Sequence, residues 1–126
     1  MINQIGKITI YVKNQQEAKK FWVEKAGFVV KAEIPMGPNM TWLEVGPSAE
    51  AFTSFIIYEK DLMLAQNKDA NVAHPSILLS TTDLEKTYEE LNANGVKTTE
   101  IQIMPYGKMF NFYDQDDNIY LLREDK

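Results

Sequence analysis

The stretch KITIYVKNQQEAKKFWVEKAGF, Lys7 to Phe28, reads as one complete strand-plus-helix unit. From Lys7 onward the residues alternate: Ile8, Ile10 and Val12 point one way, Lys7, Thr9 and Tyr11 the other. Asn14 then offers a helix N-cap with Glu17 three positions on. Ala18, Phe21, Trp22 and Lys25 recur at helical spacing, and Gly27 marks the stop. The strand therefore has two chemically different faces, and the apolar one suits packing against the adjoining helix.

The same grammar returns at SILLSTTDLEKTYEELNANGV, Ser76 to Val96. Ile77, Leu79 and Thr81 share one face and Ser76, Leu78 and Ser80 the other. Thr82 and Glu85 read as a T-x-x-E capping box, Leu84, Tyr88 and Leu91 recur at helical spacing, and Gly95 ends the helix. Thirteen positions separate Asn14 from Gly27 and twelve separate Asp83 from Gly95. Lys7 then corresponds to Ser76, an offset longer than the roughly 20 to 50 residues of solenoid repeats, so two copies of a half-domain fit better than a tiled array.

The residues after each unit support the duplication. Beyond the first helix come strands at 28–34, 41–45 and 53–59, separated by the turn PMGPNM (35–40) and by Gly46, Pro47 and Ser48. Beyond the second come strands at 96–103, 108–113 and 118–124, with turns at MPYG (104–107) and DQDD (114–117). The order β-α-β-β-β thus occurs twice, in an expected module 1–60, a connector 61–74 holding one helical turn plus loop, and a module 75–126, all within one domain, 1–126. The expected fold class is α+β: two βαβββ modules, each a curved sheet with a helix on one face, pairing so that the uncovered faces form a cup. Lys7, Thr9, Tyr11, Ser76, Leu78 and Ser80 would face that cup; the alternative is that these residues simply face water.

The totals set further bounds. The 126 residues can bury a core unaided. No cysteine is present, which excludes disulfides, thiolate zinc sites and thiol nucleophiles. A net charge of −5 argues against a nucleic-acid partner and is compatible with a cationic small ligand. No segment approaches the roughly 20 apolar residues of a membrane span, and MINQIGKITIYV lacks the basic-then-apolar pattern of a secretory leader, so a cytoplasmic protein without a membrane partner is expected.

With YVKNQQEAKKFWVEKAGF giving a strand, an Asn cap and an A-x-x-F-W helix, and FYDQDDNIYLL standing where an F-x-D-P-D-G-N-x-x-E-L ending would stand, the chain resembles the vicinal oxygen chelate superfamily of glyoxalase I, extradiol dioxygenases and fosfomycin- and bleomycin-resistance proteins. The resemblance implies paired modules and, in metal-using members, ligands from the start of the first strand, from the fourth strand and from the matching places of the second module. Those places are read as Lys7, Phe55, Ser76 and Leu121, none a good divalent-metal ligand. A single histidine in the chain makes a two-histidine, one-carboxylate site arithmetically impossible.

That histidine, His74, sits in the connector with no partner at fixed spacing and is not assigned a catalytic role. Asp114, Asp116 and Asp117 lack the ligand spacing of a calcium loop and read as hairpin-turn residues. MPYGK is no phosphate loop, and no G-x-S-x-G is present.

The reading is a metal-free, cofactor-free protein of bleomycin-resistance type that sequesters a small, partly aromatic molecule, and that forms a homodimer to cover its edge strands. Trp42, Phe55, Tyr106, Phe110 and Phe112 are the candidate stacking surface, with Lys7, Thr9, Tyr11, Ser76 and Leu121 completing the candidate ligand-binding set. Lys7, placed where a metal ligand would stand, is expected to attract an anionic or carbonyl oxygen of the ligand. The alternative is a metal-dependent lyase, isomerase or dioxygenase of the glyoxalase I type with an atypical site. A domain that serves only to bind a protein partner has no exposed stripe to support it.

Overall fold

A computed structural model describes residues 1–126. It divides into two compact units, 1–74 and 75–126, so the connector belongs with the first half. The first unit runs β1 (Lys7–Val12), α1 (Gln15–Lys20, continued by a π-helical turn, Phe21–Lys25), β2 (Val29–Pro35), β3 (Thr41–Gly46), β4 (Ser54–Glu59) and α2 (Lys60–Gln66). The second runs β5 (Leu78–Ser80), α3 (Leu84–Ala93), β6 (Gln102–Met104), β7 (Gly107–Tyr113) and β8 (Ile119–Asp125).

The sheets have the same plan, β1-β4-β3-β2 and β5-β8-β7-β6, each with its first and last strands parallel and the rest antiparallel. The βαβββ duplication read from the sequence is therefore present in the strand order itself.

The local chemistry repeats too. Asn14 Oδ1 accepts the Glu17 N–H at 2.9 Å, and Asp83 Oδ1 accepts the Lys86 N–H at 3.1 Å. Asp83, not Thr82, is thus the second cap: the Thr81 hydroxyl takes the Asp83 N–H and leaves Thr82 outside the helix start. Gly27 (φ 74°) and Gly95 (φ 81°) close the two helices in the left-handed region. The extra residue of the first unit is absorbed inside the helix. Its π turn lets Ala26 N–H reach the Phe21 carbonyl at 3.1 Å, which keeps Phe21 and Trp22 on the core and Gly27 at the exit.

In the first unit Ile10, Val12, Trp22, Leu43, Val45 and Ile57 are fully or almost fully buried, and Trp22 lies against Phe21, Phe28 and Phe55 at ring-centroid distances of 5.2, 4.7 and 5.2 Å. In the second, Leu84, Leu91, Phe110, Phe112, Tyr120 and Leu122 form the core; Tyr88 meets Phe110 edge-on at 5.0 Å, and Phe112 stacks on Tyr120 at 5.2 Å. Tyr120 donates to Asp114 Oδ2 (2.7 Å), while Asp114 also accepts from Asp116 N, Asn118 N and Asn118 Nδ2. One buried carboxylate thereby ties the β7–β8 turn to the core, and burial together with the Asp114 charge pushes the Tyr120 phenol far up.

Two strands are shorter than the periodicity suggests. The expected strand 96–103 is regular only over Gln102–Met104, plus one bridge between Thr98 and Phe112. At Thr99 the side-chain hydroxyl accepts the Asn111 N–H (2.9 Å) in place of a ladder carbonyl, which breaks the regular pattern. The second is β5, which keeps only Leu78–Ser80 of the expected 76–81. The connector is the opposite case, since α2 spans seven residues where one turn was expected.

Candidate functional site

Strand register decides which side chains share a face. Ile10 and Val12 are buried on the α1 side of the first sheet, and Lys7, Thr9 and Tyr11 therefore lie on the opposite side. Because Ile8 pairs with Phe55 and Thr9 with Ile56, the β4 residues on that opposite side are Ser54, Ile56 and Tyr58. Glu44 pairs with Ile56 and so joins them, as does Trp42 two residues away.

On this face four side chains meet. Glu44 Oε2 accepts from Lys7 Nζ at 2.9 Å and from Ser54 Oγ at 3.3 Å, while Oε1 accepts from Trp42 Nε1 at 2.8 Å. The Glu44 side chain is 12 % exposed and that of Lys7 45 %. Burial works to raise the Glu44 pKa; the hydrogen bonds from Trp42, Lys7 and Ser54, with the Lys7 charge, outweigh it and hold the carboxyl below its ordinary range. Tyr11 and Tyr58 meet edge-on at 6.1 Å, and Tyr58 donates to Gln66 Oε1 (2.6 Å) from α2.

Beyond the Glu44–Ile56 pair, strands β3 and β4 are bridged by a side chain. Gln15 Nε2 donates to Thr41 O (2.8 Å) and to Ile57 O (2.9 Å). A cavity of about 90 Å³ remains there, lined by Asn39, Met40, Thr41, Tyr58 and Glu59 among others. It can hold a few waters but falls well short of the several hundred Å³ of a drug-sized site.

The structure brings Lys7, Thr9, Tyr11 and Trp42 to one face and sends three expected ligand residues elsewhere. Phe55 packs under α1 against Trp22 and Phe28, one residue out of step with the face it was assigned to. Phe110 and Phe112 are 1 % and 3 % exposed in the core of the second unit. Leu121 does lie on the face away from α3, paired with Leu78. Ser76 is exposed and precedes β5, and Tyr106 is half-exposed in the β6–β7 turn with the Arg123 guanidinium 4.7 Å from its ring. Glu44, Ser54 and Tyr58 were missed. For Glu44 the signal was present: TWLEV alternates, and a carboxylate between Leu43 and Val45 must face away from the core those two fill.

A metal is not suited by these positions. Lys7 offers an ammonium already paired with Glu44, and the β4 position on the same face is Ile56, which supplies no donor; Phe55, assigned there from sequence, also has none. Leu121 has no donor either, and Ser76 only a hydroxyl. Asp83, Glu85 and Glu124 cluster within 4.8 Å, but Lys108 Nζ sits on Glu85 at 2.7 and 2.9 Å and on Glu124 at 3.5 Å. Glu124 Oε1 accepts the Leu84 N–H (2.7 Å), so this group closes the start of α3. Glu59 Oε2 does the same for Gln15 N at the start of α1 (3.0 Å).

A four-stranded mixed sheet backed by one helix, made twice in one chain with matching caps, strand order and helix-closing glutamates, is the paired βαβββ architecture. Over residues 4–120 the chain matches the Glyoxalase/Bleomycin resistance protein/Dioxygenase superfamily, and it belongs to that family. It is 42 % identical over 125 residues, 98 % of this chain and 100 % of the relative, to the uncharacterized protein YetH of Bacillus subtilis (strain 168). Among solved structures it is similar to TnmS3, an antibiotic binding protein from Streptomyces sp. CB03234 (TM-score 0.82, 27 % identity, 99 % and 98 % of the two chains). A family member from Sphaerobacter thermophilus DSM 20745 is similar to the same degree (TM-score 0.82, 28 % identity, 98 % of each chain).

Proposed function

We propose that this protein binds and sequesters a small, partly planar molecule without a metal, using the face of the first sheet that carries Lys7, Tyr11, Trp42 and Glu44. The observation that carries the proposal is the chemistry of the family's metal positions, where an ammonium, aliphatic side chains and a lone hydroxyl stand in place of imidazoles and carboxylates. The likeness to an antibiotic binding protein supports a binding role over a catalytic one. Trp42 and Tyr11 supply the flat surface, and the Lys7–Glu44 pair with Thr9 the polar fixings. The proposal includes a cytoplasmic homodimer; the exposed Val29, Val30 and Ile34 of β2 and Ile103 of β6 lie on edge strands that a second copy would cover. No helix is long and apolar enough to cross a membrane.

Two measurements test this. Elemental analysis of the purified protein is expected to give no stoichiometric divalent metal, and one tightly bound metal per chain would favour a metal-dependent lyase, isomerase or dioxygenase instead. A thermal-shift screen of planar aromatic compounds is expected to yield binders that perturb the Trp42 indole N–H signal. Binders that leave that signal unmoved would place the site elsewhere.

A further inference from the structure

We propose that the Lys7–Glu44 pair is a self-occupied cation site, and that the molecule bound on this face carries a protonated amine or guanidinium that takes the place of the Lys7 ammonium on Glu44. This rests on the binding role proposed above and names the ligand class.

The three donors to Glu44 are unequal. Trp42 is two residues away on the same strand, and Ser54 is 2 % exposed at the start of β4, so both are fixed by the sheet. Lys7 is different: its flexible side chain is 45 % exposed and touches one carboxylate oxygen only. Moving such a lysine into water costs little, because exposed ion pairs are weak. Leaving Glu44 without a cation is what costs, since its carboxylate is only 12 % exposed.

The asymmetry selects the sign of the ligand. A cationic group restores what it displaces: Lys7 swings out, Glu44 keeps Trp42 and Ser54, and the new charge fills the third place. An anionic group has no such exchange, because it must either strip Lys7 from Glu44 or bind beside a carboxylate that repels it. The Trp42 and Tyr11 rings on the same face offer a flat surface to the rest of the ligand, and the net charge of −5 favours the approach of a cation. Glu44, not Lys7, is then the residue that touches the ligand's charge, which reverses the expectation drawn from sequence.

The test uses the full chain and three probes of one shape, 2-naphthylmethylammonium, 2-naphthylmethanol and 2-naphthoate, titrated by calorimetry at pH 7. The cation is expected to bind about tenfold more tightly than the other two. Lys7→Met removes the competitor and is expected to tighten the cation several-fold, whereas a lysine that itself held the ligand would give weaker binding. Glu44→Gln is expected to erase the preference for the cation, with thermal unfolding measured alongside, and the Lys7→Met result stands on its own if Glu44→Gln does not fold. Equal or tighter binding of the neutral or anionic probe, or weaker binding of the cation by Lys7→Met, overturns the inference while leaving the binding role in place. Failure of all three probes to bind overturns both.

Discussion

The two units share a scaffold and differ in what they place on the sheet face away from the helix. Each has an Asn or Asp cap, a left-handed glycine exit, parallel first and last strands and a glutamate at the end of its last strand that accepts the first helical N–H. On the free face, however, the first unit gathers Lys7, Trp42, Glu44, Ser54 and Tyr58, and the second has Leu78, Leu121 and the exposed Ile119 with Arg123. Backbone hydrogen-bonding needs are the same in both copies, so the groups that meet them recur. A face that closes no helix is free to differ, and that is where a ligand site can be written.

The largest way to break the comparison is Trp22→Ala. It removes the ring around which Phe21, Phe28 and Phe55 pack, with no counterpart indole in the second unit, and is expected to cost about 3 to 5 kcal/mol in denaturant unfolding. Glu59→Ala and Glu124→Ala should each cost about 1 to 2 kcal/mol by the same measurement, and a large inequality would show that the helix-closing glutamates are not equivalent. Deletion of Glu24 should convert the π turn to regular α-helix, giving the first helix the length of the second, with circular dichroism retained and a loss of no more than about 1 kcal/mol.

The acid side of the stability curve gives a smaller effect. The folded pKa of Glu44 is depressed, so its contribution is present above the ordinary carboxylate value and is lost as pH falls through the depressed one. Urea midpoints between pH 7 and pH 3 should therefore fall less steeply in Glu44→Gln. Glu85→Gln, on an exposed pair with Lys108, is expected to leave the midpoint at pH 7 nearly unchanged.

Most of the fold was legible because it rests on local signals that occur twice. Alternation gave the faces of β1, cap and glycine gave the helices, and the order of turns gave the duplication. The failures are equally physical. The sequence offers both Thr82, by its spacing to Glu85, and Asp83, by its spacing to Gly95, and only the folded backbone separates them, with Asp83 as the cap. Phe55 lies one residue out of step with the free face, and nothing in SFIIY marks that slip, because both faces of this strand are buried and no polar–apolar alternation is left to count. Phe110 and Phe112 have the residue type of a stacking surface, but KMFNFY alternates and places both on one side with the core. Glu44 was legible as an outward carboxylate; its partners, brought in from positions 7 and 54, were not.

The parallel pairing of first and last strands has a consequence for how the chain folds. The ladder joining Lys7 to Ser54, and likewise that joining Leu78 to Leu121, cannot form until nearly the whole of its unit is in hand. Hairpins β2–β3 and β6–β7 can zip locally, but the strand that completes each sheet waits for a long loop to close. During synthesis the first strand of each half must therefore stay unpaired until its last strand has emerged, and only then can the closing glutamate reach the start of its helix.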